Sequence, residues 1–138
     1  MPLVTSLSAY RSARVLVVAP ELDADDASDF AEGLEKKLAH SGIFQSVAQP
    51  NQPSELLIRV TLINNNEESG VQLDFAVEMF DERRRQLVGR FDVKADSKEF
   101  AYSGGGGIHL DFDSKTTRAL EIAEDAIISH LEQLAKGD

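Results

Sequence analysis

A chain of 138 residues, 42% apolar and 28% charged, has the size and composition of one soluble domain with its own core. At this length folding buries about 68–70% of the surface that the unfolded chain exposes, and no run reaches the roughly 18 apolar residues of a membrane span. Fourteen basic against twenty-four acidic residues give a formal charge of -10, which opposes nucleic-acid phosphates; the lack of cysteine excludes disulfides, thiolate nucleophiles and cysteine-based metal centres.

Residues 1–12 read as a flexible lead-in, and 13–138 as a single α+β domain. Met1-Pro2-Leu3-Val4 carries neither a basic region nor a sustained apolar stretch. The chain is therefore expected to be either cytoplasmic or to begin after a leader. Ala13 to Pro20 is a β-branched apolar run closed by proline, which predicts a strand buried on both faces. The carboxylates of Asp23, Asp25 and Asp26 suit a helix N-terminus. Ala27, Phe30, Ala31, Leu34 and Leu38 follow at helical spacing, and Gly42 is placed to end the helix in a left-handed conformation.

Ile43 to Val47 predicts a short strand, closed by a loop containing Pro50 and Pro53. In the next strand, Glu55 to Ile63, Leu56, Ile58, Val60 and Leu62 face one way and Arg59 and Thr61 the other. Val71, Leu73, Phe75, Val77 and Met79 then alternate with polar residues and predict one dry and one wet face. Arg83-Arg84-Arg85 sits in the turn into a further strand, with Leu87, Phe91, Val93 and Ala95 inward and Gly89 at a bulge or close contact. These three strands make a meander. Ser114 to Ala135 predicts a long helix lined by Leu120, Ala123, Ile127, Leu131 and Leu134. The order β-α-β-β-β-β-α implies a mainly antiparallel sheet with two helices packed on one face.

Chemistry-bearing groups are sparse. Gly104, Gly105, Gly106 and Gly107 form a glycine run, but Ile108-His109 follows where a phosphate loop needs Lys and Ser/Thr opening a helix. A connector or mobile loop is the simpler reading, and contact with a partner is an alternative. On a strand, His109, Asp111 and Asp113 project to one side, as a divalent cation would need, while Asp113-Ser114 also has the form of a helix cap. Arg83, Arg84 and Arg85 make either a solvated turn or a docking point for an anionic headgroup or acidic surface. His40 suits the last turn of its helix and His130 the rim of the second. No nucleophile elbow or Cys–His pair occurs, so no catalytic set and no cofactor are expected.

Val15-Leu16-Val17-Val18-Ala19-Pro20, the helix ending in Leu38-Ala39-His40-Ser41-Gly42-Ile43-Phe44-Gln45-Ser46-Val47, and the strand at Ser54-Glu55-Leu56-Leu57-Ile58-Arg59-Val60-Thr61 together carry a resemblance. The chain resembles small envelope lipoproteins of Gram-negative bacteria, in particular a group similar to the TolB amino-terminal domain and LpoB. It covers roughly residues 13–135, and it departs from the pattern in having no lipidated cysteine. The resemblance implies a non-enzymatic accessory role in envelope assembly or transport, periplasmic or outer-membrane associated, with a lipid anchor outside this sequence. The expected partner is an envelope protein, or a second copy joined through a sheet edge. The alternative is a small ligand- or divalent-metal-binding protein that uses the glycine loop and the acidic segment after it.

Overall fold

The computed structural model describes residues 7, 10–49, 51–66, 72–96 and 112–136. Among the described residues seven elements follow in chain order: β1 (Ser12–Val18), α1 (Ala24–Ser41), β2 (Ser46–Val47), β3 (Leu56–Asn66), β4 (Gln72–Asp81), β5 (Gln86–Asp96) and α2 (Phe112–Lys136). The α+β order expected from the sequence is the order observed. The strands form one sheet in the order β2-β1-β3-β4-β5. β1 runs parallel to both β2 and β3, and β3, β4 and β5 form the antiparallel meander.

Local chemistry accounts for the limits of α1. Asp25 and Asp26 lie in its first turn, where the N-terminal dipole favours them, and Gly42 closes it at φ 75. Ser41 reinforces that end: its hydroxyl donates to the Leu38 carbonyl at 2.6 Å and accepts from the Ile43 N–H at 3.2 Å. β2 is shorter than the expected Ile43–Val47, with Phe44 turned into the core instead.

Both helices pack on one face of the sheet: α1 against β1, α2 against β4 and β5, and each against the other. Val15, Ile58 and Met79 meet in adjacent register on that face and are all but inaccessible. Phe30 of α1 stacks on Phe75 of β4 with ring centroids 5.0 Å apart. Each such ring contributes about 1.5–3 kcal/mol through burial. Leu7 and Tyr10, in the segment read as a lead-in, also belong to this core.

Two expectations are corrected here. β1 is not buried on both faces: Leu16 and Val18 are each 38% exposed, because both helices cover the same side and nothing among the described residues covers the other. Leu87 does not point inward. The β4–β5 register shifts between Met79 and Phe80, so Gly89 pairs with Met79 and Leu87 with Phe80, leaving Val88 as the extra residue, buried in the core. The bulge anticipated at Gly89 is therefore present beside it.

Candidate functional site

The open face of the sheet is a grid that the strand registers define. One row reads Arg14–Leu57–Phe80–Leu87, the next Leu16–Arg59–Glu78–Arg90, and the third Val18–Thr61–Ala76–Asp92. Asp74 and Lys94 stand opposite one another in register beyond them. A second bulge, between Leu62 and Asn64, displaces Ile63, which is 55% exposed. Alternation forces this layout. The residues that fill the core on one face leave their neighbours on the other, and those neighbours are a mixture of apolar and charged side chains.

The charges on this face are partly paired. Arg59 donates to Glu78 at 2.7 Å and lies over the Phe80 ring at 4.9 Å. Arg14 grips Glu82 through Nε and Nη2, at 2.9 and 2.8 Å, and Ser54 donates to the same carboxylate at 2.9 Å. These hydrogen bonds, Arg14 first, hold the Glu82 carboxyl below the usual carboxylate range, and Glu82 in turn raises Arg14. Four basic strand residues (Arg14, Arg59, Arg90, Lys94) stand against three acidic ones (Asp74, Glu78, Asp92), a nearly balanced surface on a chain of charge -10.

At the end of the sheet, the β4–β5 turn is strapped to the strands around it. Tyr10 donates to Asp81 at 3.0 Å, and the Arg84 N–H donates to the same carboxylate at 2.9 Å. The Arg84 backbone contact foremost, and Tyr10 with it, lower the Asp81 carboxyl against the opposing effect of burial. Glu55 accepts from the Arg11 N–H at 2.8 Å and from the Arg83 guanidinium. Two members of the arginine triplet thus contribute to the strap, although their side chains stay 73% and 75% exposed. Arg85 completes the turn in the left-handed region at φ 54.

A third polar cluster lies between the helices. Lys37 bridges Glu124 at 3.0 Å and Asp125 at 2.8 Å. The Glu124 carboxylate fits against Gly33, where an added Cβ would come within 2.5 Å of it. Burial raises the Glu124 carboxyl above its usual range, with Lys37 opposing. A groove of about 390 Å³ lies alongside, lined by residues that include His40, Ser129 and Glu132.

His109, Asp111 and the glycines Gly104 to Gly107 lie outside the described residues. Asp113 falls in the first turn of α2, which begins at Phe112, so a strand geometry does not extend to it. Among the described residues, no three His, Asp or Glu side chains converge as metal ligands would. His130, read as a rim residue, lies flat on Phe91 at 3.9 Å. The sequence reading missed the strap and the Gly33–Glu124 contact, since both join residues far apart in the chain.

No family model and no curated protein matches the chain. Its fold does match solved structures. The PelC dodecamer of Paraburkholderia phytofirmans superposes with TM-score 0.64 at 12% identity, over 97% of this chain and 94% of that one. A Chlamydia trachomatis protein matches with TM-score 0.63 at 14% identity, over 90% and 97% of the two chains. A Xanthomonas campestris protein of the DUF330 family matches with TM-score 0.63 at 6% identity, over 95% and 84%. At these identities the likeness is one of fold.

Proposed function

We propose that the chain is a non-enzymatic docking domain of a bacterial cell-envelope protein, acting in envelope assembly or transport, and that the open face of its sheet is the docking surface. The observation that carries this is the one-sided cover: two helices seal one face, while Leu16, Val18 and Ile63 stay exposed on the other. Exposed apolar groups rimmed by polar ones mark contact sites, and the near balance of charge there lets a partner approach this acidic chain without repulsion. The sequence resemblance to envelope lipoproteins supports the location, and the fold is shared with proteins of Paraburkholderia and Xanthomonas. One of those neighbours is a dodecamer, which supports self-association as one form the docking takes. No helix among the described residues is long and apolar enough to cross a membrane.

The test is site-specific photo-crosslinking in the source bacterium, with the reactive residue at Leu16 or Ile63 and, as control, at the exposed Glu32 of α1. Defined adducts in the envelope fraction are expected from the open-face positions alone. Equal crosslinking from Glu32, or adducts confined to the cytoplasm, would overturn the reading.

A further inference from the structure

We infer that β5 is a homodimerisation edge: two copies pair antiparallel through it, about a two-fold axis at Val93. This rests on the reading of the chain as a docking domain and names one surface and one occupant. β5 is the last strand of the sheet, and among the described residues nothing pairs with its outer side. From Gly89 to Asp96 its register with β4 is unbroken, so this stretch presents a regular row of N–H and C=O groups. The bulge at Val88 marks where that regular stretch begins.

Charge favours a second copy as the occupant, and charge together with side-chain size favours one register. Along the open face β5 reads Arg90, Asp92, Lys94, alternating in sign. An edge guarded by one sign of charge repels a second copy of itself, whereas this one is complementary to its own reverse. With the axis at Val93, Asp92 falls opposite Lys94 of the other copy, a pair that occurs twice. On the helix side Val93 meets Val93, and the large Phe91 meets the small Ala95. An axis at Asp92 would instead oppose Arg90 to Lys94 and Asp92 to itself. Slipping the pairing by a single residue would set Phe91 against a charged side chain.

The groups involved have little else to do. Arg90 reaches Asp92 of its own strand only at 3.5 Å, with the side chains 53% and 63% exposed. Lys94 is exposed and makes no ion pair among the described residues. The contact is a small one, so a dissociation constant in the micromolar range or weaker is expected.

The experiment is sedimentation velocity of the full chain over a concentration series, with charge reversals at the two central positions. Wild type is expected to dimerise. Asp92→Lys and Lys94→Asp each set like charges opposite one another at two symmetry-related places, and each is expected to weaken the dimer at least about tenfold. The double variant Asp92→Lys/Lys94→Asp restores opposite charges and is expected to recover dimerisation. The two single variants mixed one to one are expected to form a heterodimer that neither forms alone. Thermal melts confirm that each variant is folded. A wild type that stays monomeric at all concentrations overturns the inference. So does a dimer indifferent to both reversals, which would leave self-association through another surface intact. Loss on reversal without recovery in the double variant or the mixture overturns the Val93 register. The crosslinking at Leu16 and Ile63 reports on the docking reading separately, because neither residue lies on β5.

Discussion

The two faces of the sheet are built from the same strands by the same alternation, yet they have opposite properties. On the covered face Leu56, Ile58, Val60, Leu73, Phe75 and Val77 are at most 1% exposed. One residue away along each strand, Leu16, Thr61 and Arg59 stand on a surface that neither helix touches. Stability therefore resides on one face, leaving the other free to carry interactions. The difference also separates two meanings of an apolar residue. Phe75 is apolar because the core needs its volume, whereas Leu16 and Ile63 have no such structural reason to be apolar.

The largest expected effect breaks that comparison most directly. Phe75→Ala removes a fully buried ring stacked on Phe30 and should destabilise the fold by about 3–5 kcal/mol in denaturant unfolding. On the other face, Leu16→Ser and Thr61→Ala should stay within about 0.5 kcal/mol. If Leu16→Ser cost as much as Phe75→Ala, the open face would have to be covered in the folded chain, and its role in docking would fall.

The strap around the hairpin turn comes next. Removing the Arg14 side chain leaves the Glu82 carboxylate with Ser54 as its remaining side-chain donor, and about 1 kcal/mol is expected from Arg14→Ala. The pH dependence has a definite sign. Asp81 and Glu82 are held below the usual carboxylate range, so their stabilisation is complete above that range and is lost as pH falls through their folded-state values. Glu124 has the opposite sign. Its raised carboxyl costs stability above its folded-state value, and the cost is relieved as pH falls through it. Glu82→Gln should therefore flatten the loss at low pH, and Glu124→Gln should flatten the decline on the higher side. Melts across the acid range that leave both limbs unchanged would show that these carboxylates do not control the pH response.

How much of this was legible in the sequence follows from the range of the interactions. The Gly42 end of α1, the meander and the inward faces of β3 and β4 are local, and period and capping chemistry identified them. The insertion of β1 between β2 and β3 is a contact between distant segments, and no local pattern specifies it. The same limit explains β1 itself. A run of Val and Leu looks alike whether one face or both are buried, and only the placement of both helices on one side decides it. Arg83 and Arg84 read as a solvated turn or a docking point because Glu55 and Asp81 become their partners only once the strands align. The open face was half legible. Its alternating polar residues were visible, while the rows they make with neighbouring strands required the registers.

The smallest expected effect concerns the helix pair that seals the covered face. Gly33 lies within α1, where alanine would gain about 1 kcal/mol in helix propensity. Its Cβ, however, would enter the space held by the Glu124 carboxylate, which Lys37 fixes at 3.0 Å. The two effects should nearly cancel, leaving Gly33→Ala within about 0.5 kcal/mol of wild type. In a Glu124→Ala background the clash is gone and only the propensity remains, so the same substitution should then stabilise by about 0.5–1 kcal/mol. A double-mutant cycle separates the two contributions. A coupling near zero would mean that the carboxylate does not occupy the space beside Gly33. A coupling of about 1 kcal/mol would show that the glycine is there to admit a buried charge between the helices. In that case the sealed face contains one polar lock joining α1 to α2, and stiffens the face opposite the one proposed to dock.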